Sequence, residues 1–283
     1  MFKNAIVTTY EPDNAIKKGL FCLINEIIVE IKSSRWLTYQ LFLRSFFSMY
    51  KQSFLGIFWI ILLPVVNVAV FAVLNNAGVF NIGEIQMPYP IYAITGITFW
   101  QIFAVGLGSS ANALVSAGDM VTKINCSKKS LVIAPMGRTL VSLLIQLVLV
   151  GVLFLFYGTV PKLSIFLIPI VVVPIIFLTL GLGFLVAIIN AIMRDIGNIL
   201  SLGITFLMYL TPVLYAKPKI GILSHITKYN PMYHFVSTGR DLMFSGYIRD
   251  MKGFLFATFF SLVLFISALV IFHLTETRIA ERI

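Results

Sequence analysis

LSIFLIPIVVVPIIFLTLGLGFLVAIINAI, residues 163–192, runs for 30 residues without one charged side chain. A helix needs about 20 mostly apolar residues to cross the hydrocarbon core of a bilayer, so this stretch is long enough to span with tilt to spare. Pro169 and Pro174 fall inside it and predict a kink or tilt there. Working outward, five further apolar runs meet the same test: 54–74, 91–114, 139–157, 199–215 and 253–274. The run 199–215 is at the short limit and ends near Pro212. The expected fold class is therefore an all-α integral membrane protein with six transmembrane helices.

Composition agrees. Of the 283 residues, 59% are hydrophobic and 11% charged, against about 25% charged in a soluble domain. Too little polar surface is left to cover a globule, so lipid is the solvent for most of the chain. The net charge is +10, but the basic residues lie between apolar runs rather than in a stripe with interleaved aromatics. That pattern fits anchoring at an anionic leaflet and not nucleic-acid binding. Cys22 and Cys126 have no metal-ligand neighbours and no CxxC occurs, so no metal site is expected. The first long apolar run starts near Phe54, too late for a cleavable signal peptide.

Lysine and arginine set the orientation. Lys3, Lys17, Lys18, Lys32, Arg35, Arg44 and Lys51 precede the first run; loop 75–90 has none; loop 115–138 holds Lys123, Lys128, Lys129 and Arg138; loop 158–162 holds only Lys162. Both termini are expected in the cytoplasm. Loop 216–252 runs against the rule with Lys217, Lys219, Lys228, Arg240, Arg249 and Lys252.

Two segments read as more than connectors. Residues 36–51, WLTYQLFLRSFFSMYK, put Trp36, Tyr39, Phe42, Leu43, Phe46 and Phe47 on one half of a helix and Gln40, Arg44, Ser45, Ser48 and Lys51 on the other. That predicts an interfacial helix on the inner leaflet, aromatic side toward lipid. In loop 216–252, Asn230-Pro231 gives an N-cap followed by proline at the first helical position, and Gly246 closes the segment. One short amphipathic helix is expected over 231–244, and a second near 220–227, both re-entering the outer leaflet.

The runs hold almost no ionisable side chain; His273, at the end of the last, is the exception. Ion-coupled carriers need such groups to bind the coupling ion, and a membrane-embedded transferase needs paired carboxylates near the membrane face. Asp119 and Asp195 stand alone on inner loops. No GxxxxGK[ST] phosphate loop occurs, so uphill transport would draw its energy from another subunit. The second run instead repeats Tyr92, Gly96, Phe99, Phe103 and Gly106 along one helical face, with Trp59, Phe206 and Tyr209 on its neighbours. The alternatives are a lipid-facing aromatic belt or a channel wall on which sugar rings slide.

Three stretches carry a family resemblance: YKQSFLGIFWIILLP (50–64), RDIGNIL (194–200), and TPVLY (211–215) followed by NPMYHFVSTGRDLMFSG (230–246). In this order they resemble the permease subunits of ABC-2-type polysaccharide exporters, the O-antigen, capsule and teichoic acid group. YEPDNAIKKG, from Tyr10, is similar to the N-terminal tails of some O-antigen permeases. In TKINCSKKSLVIAPMGR (122–138) the chain departs from the family's lysine-then-Phe-Pro pattern, with Pro135 displaced.

The resemblance implies a cytoplasmic segment 1–34 and an ABC-2 transmembrane domain 35–283. It implies a homodimer in the cytoplasmic membrane with two copies of a separate ATPase that binds ATP and Mg, leaving this chain without cofactor or catalytic residue. The cargo would be a lipid-linked polysaccharide. Trp59, Tyr92, Phe99, Phe103, Phe206 and Tyr209 would line its path, and Asp119, Lys123, Arg194 and Asp195 would meet the ATPase. Trp36, Tyr39, Phe42, Arg44, Phe46 and Lys51 would form the interfacial helix, and Asn230, Pro231, Phe235 and Phe244 the outer gate. A drug or lipid cargo on the same architecture is the main alternative, and it would not need a continuous aromatic track.

Overall fold

A computed structural model describes residues 20–50, 58–76, 85, 87–118, 126–193, 195–218 and 220–280. All regular structure among them is helical: α1 (Leu20–Ser33), α2 (Arg35–Tyr50), α3 (Trp59–Asn76), α4 (Tyr89–Ala111), α5 (Ala113–Ser116), α6 (Lys128–Phe156), a 3₁₀ turn (Leu163–Leu167), α7 (Ile168–Ile192), α8 (Ile196–Leu210), α9 (Ile222–Tyr229), α10 (Pro231–Phe244) and α11 (Met251–Ala280). Tyr89–Ala111, Lys128–Phe156, Leu163–Ile192 and Met251–Glu276 are long and apolar enough to cross a membrane; the apolar stretches Trp59–Phe71 and Ile196–Leu210 are shorter.

The boundaries have local causes. The hydroxyls of Ser33 and Ser34 donate to the Glu30 carbonyl at 2.9 and 2.6 Å, satisfying the end of α1 before the chain restarts as α2. Pro169 falls in the first turn of α7, where its missing N–H costs nothing, and α7 continues through Pro174. α8 stops at Leu210, two residues before Pro212, not at Tyr215. Asn230 caps α10 by accepting from the Met232 N–H at 3.0 Å, with Pro231 next. Gly246, at φ +89°, ends it as expected. α6 begins at Lys128, eleven residues before the predicted Thr139.

α4 is the central helix. It packs on α6, α7, α10 and α3, and Ile91, Ile97, Phe99 and Ile102 on it are fully buried. α11 lies along α7, with the rings of Phe184 and Phe272 4.9 Å apart. The outer faces of α6, α7, α8 and α11 remain apolar and exposed, for example Val148, Val173, Leu202 and Phe259, as surfaces solvated by lipid should be. One end of the bundle carries α1, α2 and the first turn of α6; the other carries α9 and α10.

α2 docks differently from the prediction. Phe42 faces the body of the protein rather than lipid: a Cβ added at Gly137 of α6 would lie 2.6 Å from its ring. A phenylalanine and a glycine fit where two larger side chains would hold the helices apart. Trp36, Tyr39 and Phe47 point outward and are exposed, while Phe46 is half-buried beside Phe42, ring centroids 5.9 Å apart. Arg44 is exposed, and Lys51 lies outside the described residues.

Candidate functional site

At the α10 end, the motifs singled out in the sequence meet around one side chain. Pro212 breaks α8 and leaves carbonyls with no helical donor. Arg240 of α10 supplies the donors: Nη1 reaches the Pro212 carbonyl at 3.1 Å, Nη2 the Val213 carbonyl, and Nε the Tyr92 carbonyl at 3.2 Å. Its guanidinium carbon lies 3.5 Å from the centroid of the Tyr92 ring, a cation–π contact in a desolvated site. Tyr92 in turn donates to the Tyr215 carbonyl at 2.8 Å, and Asn230 Nδ2 donates to Thr211 Oγ1 at 2.7 Å. The TPVLY and NPMYHFVSTGRDLMFSG motifs are thus two halves of one hydrogen-bonded unit.

This unit explains two glycines. A Cβ at Gly96 would lie 2.0 Å from Arg240 Nη2 and 2.4 Å from the Val213 oxygen. A Cβ at Gly239 would lie 2.1 Å from the Phe99 ring. α4 offers a glycine to the arginine and α10 offers a glycine to the phenylalanine, so the two helices interlock. Burial pulls the Arg240 guanidinium below its ordinary value, opposed by Tyr92. Burial pushes the Asp241 carboxyl up, opposed by the Arg249 backbone N–H, which donates to it at 3.1 Å. A cavity of about 230 Å³ opens beside them, lined by Tyr92, Lys217, Tyr233, Arg240, Asp241 and Arg249.

The proposed path residues do not share one surface. Phe99 is 0% and Phe103 3% exposed; both are core side chains, packed against α10 and Trp100 respectively. In this conformation they line no open path. Gly96 of that face lies against Arg240 and Gly106 against Thr179 and Met136. Trp59, Phe206 and Tyr209 are exposed on α3 and α8, and Tyr92 is half-buried at the cavity. Of the gate residues, Phe235 is fully buried with its ring 6.1 Å from Phe254. Phe244 packs against the same core.

Asp119, Lys123 and Arg194 lie outside the described residues. Asp195 is exposed on the turn before α8, where its carbonyl accepts from Asn198 and Ile199. Below that turn is a group that sequence reading missed. Buried Asn190 donates to the Ala111 carbonyl at 3.1 Å and to Asn112 Oδ1 at 2.9 Å, and accepts from the Gly197 N–H at 2.9 Å. It ties the α7–α8 turn to the α4–α5 break. The visible signal was an asparagine closing an otherwise apolar run beside RDIGN.

A second missed cluster sits at the α1 end. Lys129, 0% exposed, holds Glu30 Oε2 at 2.7 Å and Glu276 Oε1 at 2.5 Å. Ser127 donates to Glu30 at 2.8 Å, Lys128 to the Glu276 carbonyl at 2.9 Å, and His273 Nδ1 lies 3.1 Å from Glu276 Oε1. Glu30, His273 and Glu276 are close enough together to ligate a cation, but the Lys129 ammonium already bridges the two carboxylates. Between these ends, Gln146 Nε2 donates to Gln101 Oε1 in the middle of α4 and α6, beside Thr98, Thr139 and Ser142.

Similarity extends along the same elements. The chain is 30% identical over 241 residues to the O-antigen export system permease protein RfbA of Klebsiella pneumoniae, covering 82% of this chain and 89% of that protein. It is 27% identical over 261 residues to the RfbA permease of Myxococcus xanthus, covering 91% of this chain and 99% of that protein. Residues 37–244, from α2 to the end of α10, match the ABC-2 type transporter family, and the chain belongs to it.

Proposed function

We propose that this multi-pass membrane protein is the channel-forming permease subunit of an ATP-driven exporter that moves a lipid-linked polysaccharide, O-antigen or similar, across the cytoplasmic membrane. The observation that carries the reading is its similarity, over 82–91% of its length, to permeases of O-antigen export systems. The distribution of charge supports it. Among the described residues, Lys129 and Glu276 lie near the ends of their apolar helices, Arg138 donates to Ser109, and no carboxylate lies mid-helix to couple an ion. The energy then comes from a separate ATPase that binds ATP and Mg, in two copies against a homodimer of this chain.

In this reading all six apolar helices span, residues 1–34 form a cytoplasmic segment ahead of the transmembrane domain 35–283, both termini are cytoplasmic, and α9 and α10 re-enter the outer leaflet as gate helices. The basic outer loop conflicts less than its charge count suggests: Arg240 is consumed by carbonyls and Arg249 pairs with Asp241. The uncovered aromatics Trp59, Phe206 and Tyr209 on α3 and α8 would face the second copy and the polymer. Deleting the chain from its host should leave total polymer present in permeabilised cells but absent from the surface of intact cells. Unchanged surface polymer would sink the reading, and loss of drug resistance instead would favour the small-molecule alternative.

A further inference from the structure

The cavity of about 230 Å³ beside Arg240 has one wall built by a single helix face. Tyr233, Ser237, Asp241 and Ser245 line it at steps of four along α10 and its C-cap, so a phenol, two hydroxyls and a carboxylate stand in one row. Tyr92 of α4 and the exposed Lys217 add to the lining. Hydroxyls inside helices often bond back to the carbonyl one turn earlier, and those of Thr98, Thr179, Thr258 and Ser261 do so here at 2.7–2.8 Å. Ser237, in the middle of α10, makes no hydrogen bond among the described residues, and its half-buried side chain faces the cavity. The charges of the wall already have partners. Carbonyls hold Arg240, Arg249 pairs with Asp241 at 3.5 Å, and Lys217 Nζ lies 4.9 Å from the centroid of the Tyr233 ring.

A lining of this kind selects its occupant. With each charge partnered, it holds no guanidinium or ammonium in reserve for a phosphate. It offers donors and acceptors side by side, since serine hydroxyls do both and the Asp241 carboxylate accepts. The aromatic ring at the end of the row takes the C–H face of a sugar ring while the sugar hydroxyls bond along the row. The volume falls below the roughly 300–1,000 Å³ of drug-sized sites, so the cavity suits one ring and not a chain. We propose that this cavity binds a single hexopyranose, with Tyr233 as the platform for its C–H face and Ser237 and Asp241 as hydrogen-bond partners of its hydroxyls. In the proposed exporter that ring is one unit of the emerging polymer, held at the outer end of the bundle. That placement rests on the export reading; the sugar site itself rests on the cavity.

The test measures binding of the methyl pyranosides of mannose, galactose, glucose and rhamnose to the full chain in phosphatidylcholine nanodiscs, by saturation-transfer NMR. At least one should bind saturably, and sorbitol, a polyol with no ring face, should not. Ser237→Ala removes a hydroxyl with no bond among the described residues, so it should leave the unfolding temperature unchanged and weaken glycoside binding about fivefold. Ser237→Phe, which fills the cavity, should abolish binding. Tyr233→Leu should weaken it more than Ser237→Ala does, and Ser267→Ala, on the exposed face of α11, should bind as wild type. Absence of saturable binding by all of the glycosides, equal binding of sorbitol, or unchanged affinity in Ser237→Ala and Ser237→Phe overturns the site. If the wild type restores surface polymer to a deletion strain while no glycoside binds, the site falls and the export reading stands. If a glycoside binds and Ser237→Phe abolishes it, yet the wild type restores no surface polymer, the export reading falls and the site stands.

Discussion

Lys129 and Arg240 are both buried cations at opposite ends of one bundle, and they are held by opposite chemistry. Lys129 sits between two carboxylates, with a histidine and a serine completing the shell. Arg240 takes three carbonyl oxygens and the face of a tyrosine. An ammonium is a compact point charge, suited to neutralisation by carboxylates; a guanidinium is a planar fork, suited to several fixed acceptors at once. The first arrangement joins three chain segments, α1, α6 and α11, through charges that could be exchanged. The second closes a backbone break at Pro212 and is tied to that geometry. One end is an electrostatic joint and the other a structural plug.

The contrast breaks most visibly at Arg240. Arg240→Ala leaves buried carbonyls without donors and a void beside Gly96, and should cost about 4 kcal/mol, read as thermal unfolding in detergent. Arg240→Lys should recover less than half of it. If adding Asp241→Asn restored the alanine variant, Arg240 would be an ion-pair member and the distinction would collapse. Lys129→Met should cost about 3 kcal/mol by leaving Glu30 and Glu276 uncompensated. Here a partner change should help: Lys129→Met with Glu276→Gln should fall short of the sum of the single effects by about 1 kcal/mol or more. Additive effects would deny that the cluster acts as a unit.

Smaller changes sharpen the picture of the plug. Gly239→Ala drives a methyl into Phe99 and should cost about 1–3 kcal/mol, and Phe99→Leu in the same chain should recover part of it. Such recovery would be unexpected of a residue on an open channel wall. The smallest effect concerns pH. Burial raises the Asp241 pKa in the folded protein, so the folded state holds that proton to higher pH than the unfolded one. The resulting stabilisation is full below the ordinary carboxylate range near 4 and is lost as pH rises through the folded value. Asp241→Asn should flatten that slope in a series of unfolding temperatures against pH, with a change within about 1 kcal/mol at neutral pH.

The apolar helices were legible because lipid solvation leaves long uncharged runs, and the α10 cap because Asn-Pro carries its own local chemistry. Arg240 was read as one more basic residue in a loop. Its acceptors lie on Tyr92, Pro212 and Val213, and nothing near it in sequence reports them. The same is true of Lys129: the lysine pair read as part of a loop, and it begins a helix under burial because Glu30 and Glu276, remote in sequence, meet its charge. The periodic face Tyr92, Gly96, Phe99, Phe103 and Gly106 was a real helical signal, read as a lipid-facing belt or a channel wall, and periodicity alone does not separate either of these from a face packed against other helices.

The central position of α4 also orders the making of the protein. α4 is the most buried of the four long apolar helices and the least apolar, and it brings Thr98 and Gln101 into the membrane. Gln101 finds its amide partner, Gln146, 45 positions later, and the Ala111 carbonyl receives Asn190 later still. A ribosome that has just released α4 has therefore delivered the helix least suited to lipid before the helices that will surround it. Its residence in the bilayer becomes secure only when α6 and α7 arrive, so biogenesis must hold it at the insertion machinery or shield it until the second half of the chain is synthesised.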